Sequence, residues 1–144
     1  MHFTILYVME NEELENISLG IVEEQFSDQF CYCCGETNPP CPIFDWFQIG
    51  GRWNDPFWAT KGIKGEASWA DGHPTDPKQF SIVEIKNLIK PIEAKDIFGI
   101  ASRDSGDCIE SDWGGGDKQE IIDLVNKINK KEIKGCIALI DCHD

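Results

Sequence analysis

Apolar runs of strand-forming residues stand near both ends of this chain, and they constrain its fold more than any other feature. Residues His2–Met9 read H-F-T-I-L-Y-V-M, and Cys136–Ile140 form a second continuous apolar run. Short apolar runs that are rich in β-branched and aromatic residues and bounded by polar residues are typical of buried strands. We therefore predict that these two segments form neighbouring central strands of one sheet.

The other periodic segments predict an α+β domain. Residues 117 to about 131 carry an apolar stripe at helical spacing, with Asp117 placed to cap the helix and Glu120 as its reciprocal partner. Asp96–Ala101 reads as a buried strand, and the turn Arg103–Gly106 after it predicts a hairpin. A chain of 144 residues suits one domain. We expect a single α+β domain with a mainly antiparallel sheet and the 117–131 helix packed on one face.

The distribution of charge bears on the class of partner. The chain has a net charge of −13, and its first 51 residues contain nine acids but no Lys or Arg. Because a protein that binds nucleic-acid phosphates needs a basic face, direct nucleic-acid binding is not expected. A basic protein partner or mimicry of a nucleic acid stays open, beside the simpler explanation that acidic charge maintains solubility.

No segment of the sequence has the pattern of a membrane anchor or a secretion signal. No apolar run approaches the length of a membrane span, and no basic region precedes an apolar core at the N-terminus. We therefore expect a soluble, cytoplasmic protein with no membrane partner. Oligomeric state leaves no recognisable pattern in the sequence.

Four of the seven cysteines lie in residues 31–42, C-Y-C-C-G-E-T-N-P-P-C-P, a Cys- and Pro-rich segment that reads as a loop. Without a secretion signal, reduced thiols or metal ligands are expected rather than disulfides. Cys31, Cys34 and Cys41 are the candidate ligands of a zinc ion, with reduced cysteines that pack within the loop as the alternative. Residues 54–78, rich in Gly, Pro and Trp, read as a second long loop, which favours a binding surface.

The stretch Phe44–Trp53, F-D-W-F-Q-I-G-G-R-W, is the densest aromatic cluster of the chain. Its Gly50-Gly51 pair permits positive φ angles, a bulge, or a close approach by a ligand or another backbone. Arg52 can hold a carboxylate or phosphate, stack on a planar group, or pair with Asp45 in a purely structural turn. The candidate ligand-binding residues are Trp46, Arg52, Trp53 and, after the later hairpin, Trp113.

Two polar residues follow the terminal apolar run. Asp141 and His143 are two residues apart, so on a strand both point to the same face of the sheet. An Asp and a His on one face can orient a metal ion or form an acid–base pair. Asp45, Asp141 and His143 are therefore the candidate catalytic residues, and a frayed acidic terminus is the structural alternative.

The D-W-F-Q-I-G-G-R-W stretch, the late hairpin ending in Trp113 and the terminal D-C-H strand resemble features of small uncharacterised proteins of phages and prophages. This resemblance implies one α+β domain and a phage or mobile-element setting. It implies no catalytic residues, because that family has no established activity. The cysteine loop is not part of the family's pattern.

Three functions follow from these patterns. The first is a non-enzymatic phage accessory protein, for example in counter-defence. It would bind a host protein or a small anionic or planar ligand through the aromatic–Arg pocket or the acidic surface. The second is a small hydrolase or transferase in which Arg52 holds an anionic group, His143 moves a proton, and Asp45 and Asp141 complete the cleft. The third is a module stabilised by zinc in the cysteine loop.

Overall fold

The two apolar runs pair with each other along their whole length. Strand β1 (His2–Glu10) lies antiparallel to strand β9 (Gly135–His143), in a register that runs from His2 opposite His143 to Glu10 opposite Gly135. Both strands are buried on both sides over their central residues, as their continuous apolar character requires. The prediction of two neighbouring central strands is confirmed.

The computed structural model describes residues 2–30, 46–51, 57–67, 79–110 and 118–143. Short 3-10 turns lie at Leu14–Asn16, Ile85–Asn87 and Ala94–Asp96. Between β1 and β9 the helices and the other strands are, in chain order, α1 (Leu19–Phe30), β2 (Trp46–Gly51), β3 (Phe57–Trp58), β4 (Glu66–Ala67), β5 (Gln79–Phe80), β6 (Ile82–Glu84), β7 (Gly99–Ser102), β8 (Cys108–Glu110) and α2 (Gln119–Asn129).

One mixed sheet carries most of these strands. Its order is β4-β2-β9-β1-β7-β8, and β6 also pairs with β9. The pairs β1–β7 and β2–β4 are parallel, whereas the other four pairs are antiparallel. Strands β3 and β5 form a separate two-stranded sheet. The chain is therefore a single α+β domain with a mainly antiparallel sheet, as predicted.

The alternation of side chains along β1 and β9 creates two cores, one on each face of the sheet. On the α1 face, Tyr7 and Ile140 pack with helix α1 through Phe26. On the α2 face, Leu6 and Leu139 belong to the core that contains the apolar side of helix α2. That side of α2 consists of Ile121, Val125 and Ile128.

The predicted hairpin is confirmed, because β7 and β8 pair antiparallel on either side of the turn. The predicted 117–131 helix is α2, with Lys118 at its N-cap and no side-chain capping hydrogen bond from that residue. Asp117, which the sequence predicts as the cap, lies outside the described residues.

The two predicted loops have different outcomes. The segment 31–42 lies outside the described residues. The segment 54–78 is not wholly a loop, because its described part, 57–67, contains β3 and β4 and two bridges, Ala59–Leu88 and Ile63–Ile82. These short strands have partners that are distant in sequence, so local composition does not reveal them. Of the helices in the described ranges, neither α1 nor α2 has the length and apolar character needed to span a bilayer.

Candidate functional site

The sheet register brings the aromatic motif to the terminal D-C-H strand. Trp46 of β2 lies opposite His143 of β9, and Gln48 lies opposite Asp141. On the other side of β9, β1 places its first residues opposite the same two positions. Because directly opposite residues share a face, five side chains from three strands form one polar cluster on the α2 face: His2, Thr4, Gln48, Asp141 and His143.

A histidine–carboxylate pair is the centre of the polar cluster. Nδ1 of His2 lies 2.7 Å from Oδ1 of Asp141, a distance typical of a charge-assisted hydrogen bond. The Asp141 side chain is 0% exposed, and the His2 side chain is 18% exposed. An ionised carboxylate only accepts hydrogen bonds, so opposite an ionised Asp141 it is the Nδ1–H of His2 that donates. Asp141 therefore sets both the tautomer and the orientation of the His2 ring.

His143 packs against His2 in the same cluster. Their ring centroids are 5.0 Å apart and the ring planes meet at 74°, which is an edge-to-face arrangement. The structure thus brings together Asp141 and His143, the two residues that the sequence places on one face. It also adds His2, which sequence reasoning missed. The one signal that could have revealed His2 was the predicted pairing of the first and last strands. That prediction did not specify which residues of the two strands lie opposite each other.

Gly51 of β2 lies directly beside the Asp141 side chain of the polar cluster. Its φ is +50°, and a Cβ built at this position would lie 2.6 Å from Oδ2 of Asp141. Gly50 also has a positive φ, of 80°. The glycine pair adopts the expected positive φ angles. The space beside Gly51 is filled by the side chain of Asp141, whereas the sequence predicted an approach by a ligand or another backbone.

Within the part of the chain that the structure describes, the amide oxygen of Gln48 has no hydrogen-bond donor. This oxygen, Oε1, is buried. A buried amide oxygen without a donor is costly, so this atom is one to which a ligand or water would donate favourably.

Several predicted site residues lie outside the described residues: Cys31, Cys34, Cys41, Asp45, Arg52, Trp53 and Trp113. Trp46 is described only through its backbone pairing with His143. The described ranges contain no group of three His, Cys, Asp or Glu side chains that could hold a metal ion, and this includes the polar cluster. Zinc binding by the cysteine loop stays a prediction.

Comparison with protein-family models, with curated proteins and with solved structures finds no match to this chain. The resemblance to phage proteins accordingly stays a prediction, and function has to be argued from the polar cluster itself.

Proposed function

We propose that the protein is a small hydrolase or transferase in which His2, oriented by Asp141, transfers a proton to or from the substrate. The observation that carries this proposal is the 2.7 Å contact between Nδ1 of His2 and the fully buried Asp141 carboxylate. A histidine held at Nδ1 by a carboxylate exchanges protons with its substrate through Nε2. This role replaces the one that the sequence suggests for His143.

Burial of Asp141 supports an acid–base role. When His2 takes up a proton, the adjacent carboxylate stabilises the imidazolium, and this effect is larger away from water than at an exposed site. The edge-on contact with His143 restricts the His2 ring further. General acid–base catalysis by one positioned side chain contributes roughly 10²–10⁴-fold to a rate.

In this function Arg52 binds the substrate. Arg52 follows Gly51 directly in the sequence, and Gly51 lies against Asp141. A guanidinium presents a planar fork of donors that matches a carboxylate or phosphate, so we assign it an anionic group of the substrate. Asp45 precedes Trp46, the backbone partner of His143. It is, after Asp141, the second carboxylate among the candidate catalytic residues.

A ligand-binding protein without turnover, in the phage setting that the resemblance implies, is the second candidate function. The observation that favours it is the buried Oε1 of Gln48, to which no described residue donates a hydrogen bond. A donor group of a bound ligand would satisfy this atom. In this function the His2–Asp141 pair recognises a small anionic or planar ligand instead of moving its proton.

The test uses the wild-type protein, His2→Gln, Asp141→Asn and the control Glu93→Gln, which changes an exposed carboxylate 60% accessible to solvent. Native mass spectrometry reports a retained ligand. A panel of p-nitrophenyl acetate, phosphate and phosphodiester substrates, together with nucleotides, reports turnover. We expect His2→Gln to lower turnover by at least roughly 10²-fold while the protein stays folded.

The outcomes separate the two functions. Product formation that His2→Gln and Asp141→Asn abolish supports the enzyme, whereas a ligand retained without product and lost in both variants supports the binding protein. Turnover or binding that both folded variants keep at the wild-type level would contradict a functional role for the polar cluster.

A further inference from the structure

A concave site lies at the opposite end of the sheet from the polar cluster. It is a cavity of about 440 Å³ between helix α2 and the β7–β8 hairpin. Val8 and His2 both belong to β1 and are six residues apart, so the cavity lies roughly 20 Å from the His2–Asp141 pair. The proposed function uses no residue of this cavity.

The interior of the cavity is apolar and its mouth is acidic. Its buried or half-buried walls are Val8, Ile100, Ile109, Leu124, Ile128 and Ile133. Three of its exposed lining residues, Glu10, Asp104 and Asp107, are acids, and none of its lining residues is basic. A volume in this range and a mostly apolar lining with a few polar groups are typical of sites for small organic molecules.

Arg103, the cation next to Asp104 in the sequence, already forms ion pairs. Nη1 of Arg103 lies 2.6 Å from a carboxylate oxygen of Glu12, and Nη2 lies 3.4 Å from Oδ1 of Asp104. The other oxygen of Asp104 accepts the backbone N–H of Glu10 at 2.8 Å, which fixes Asp104 at the mouth. In the described ranges, neither the Glu10 nor the Asp107 carboxylate has an ion-pair partner. The mouth therefore keeps a negative charge.

We propose that this cavity binds a small amphipathic organic cation, with its hydrocarbon part against the apolar walls and its ammonium group at the acidic mouth. The apolar walls favour a hydrocarbon, because burying it removes apolar surface from water. The carboxylates of Glu10 and Asp107 favour a positive head group and disfavour a fatty acid of the same length. Charge complementarity thus selects the ammonium ion from among the amphipathic molecules that the cavity admits.

The first experiment compares n-octylammonium chloride with sodium octanoate on the full-length protein, by isothermal titration calorimetry and by NMR chemical shifts. The two probes share a chain length and differ in the sign of their charge. We expect octylammonium to bind at one site per chain, and octanoate to bind roughly tenfold more weakly or not at all. Binding should weaken as the ionic strength rises, because the head group meets exposed carboxylates.

Two variants locate the site. Asp107→Asn removes one carboxylate from the exposed turn and should weaken octylammonium binding about two- to fivefold. Its matched control, Glu93→Gln, removes an exposed carboxylate elsewhere and should leave the affinity unchanged. Leu124→Trp should fill the cavity and abolish binding. Ile89→Trp, at a position 58% exposed and outside the cavity, is its control.

Binding of octylammonium in the cavity does not depend on the polar cluster. His2→Gln should leave octylammonium binding at the wild-type level, so failure of the proposed catalytic function would leave this inference standing. Equal binding of octanoate and octylammonium would overturn it. Unchanged octylammonium binding in both Asp107→Asn and Leu124→Trp would overturn it as well. If Leu124→Trp does not fold, Asp107→Asn alone decides, because Asp107 is exposed and its substitution should not disturb folding.

Discussion

Gly51 and Asp141 share a space that holds only one side chain. The Gly51 backbone has a φ of +50° and lies so close to the Asp141 carboxylate that an added Cβ would be 2.6 Å from Oδ2. Because Asp141 also receives the hydrogen bond of His2, any group added at Gly51 displaces the carboxylate that orients the histidine. The absent side chain of Gly51 is thus a condition for the polar cluster.

We predict that Gly51→Ala destabilises the protein by about 2–4 kcal/mol. The cost combines the left-handed backbone conformation of an alanine with the disturbed hydrogen bond of a buried carboxylate. Gly20→Ala is the control, because Gly20 lies in helix α1 with nothing within 4 Å of an added Cβ. This control should stabilise the protein by about 0.5–1 kcal/mol. Urea unfolding measures both changes, and a Gly51→Ala protein as stable as the wild type would contradict the argument.

Two cysteines of β9 should be chemically inert in the folded protein. Burial raises the pKa of Cys136 to about 12, and it raises the pKa of Cys142 well above its ordinary value. Both thiols therefore stay protonated at pH 8, and the thiolate is the reactive form. We predict that iodoacetamide labels neither residue until the protein unfolds, as mass-spectrometric mapping of the labelled peptides would show. Labelling of Cys142 in the native state as fast as in urea would refute this.

The sequence predicted part of the polar cluster for a simple reason. The two-residue period of a strand places Asp141 and His143 on one face without any knowledge of their neighbours. The contribution of His2 depends on the register between β1 and β9, and the register follows from contacts along the whole sheet. Gln48 enters the cluster through its pairing with Asp141, which is equally invisible in a single sequence.

At the scale of elements, Glu84 joins β6 to the 3-10 turn at Leu14–Asn16. Its Oε1 accepts the backbone N–H of Leu14 at 2.8 Å, and its Oε2 lies 3.2 Å from Nζ of Lys86. The hydrogen bond from Leu14 lowers the pKa of Glu84, burial opposes this change, and Lys86 adds to the lowering. A carboxylate with a lowered pKa stabilises the folded state when it is ionised.

We predict that Glu84→Gln destabilises the protein by about 1–2 kcal/mol at pH 7, because a hydrogen bond to a charged acceptor becomes a neutral one. Because the pKa of Glu84 is lower in the folded state, Glu84 contributes to the free energy of unfolding at pH values above its unfolded-state pKa. This contribution is lost progressively as the pH falls below the ordinary pKa of glutamate and through the lower folded-state pKa. Unfolding free energies across this range should converge for the wild type and Glu84→Gln. A constant difference would contradict the linkage.

The elements that the sequence predicted well are the long, strongly patterned ones. Strands β1 and β9 and helix α2 each repeat one hydrophobic pattern over 9 to 11 residues. By contrast, the segment 79–90 divides into three short elements, namely β5, β6 and the Ile85–Asn87 turn. Elements of two or three residues are held by partners distant in sequence, such as β9 for β6, so local periodicity does not specify them.

At the scale of the whole molecule, one pair of strands belongs to both cores. Along β9, Ile140 faces the core of α1 and Ile137 faces the core of α2. The same alternation holds on β1. Because β9 also pairs with β1, β2 and β6, neither core can lose this strand without disturbing the other. We therefore expect the two cores to unfold as one cooperative unit.

This cooperativity can be tested with a small change on one face. Ile140→Val removes one methylene group from the α1 core and should cost about 0.5–1.5 kcal/mol. If the cores unfold together, the opening free energies from native-state hydrogen exchange should fall equally for amides of α1 and of α2, although only α1 lies on the mutated face. Ile137→Val, which changes the α2 core, should give the same pattern. Loss of protection confined to the helix on the mutated face would mean that β1 and β9 separate two independent units.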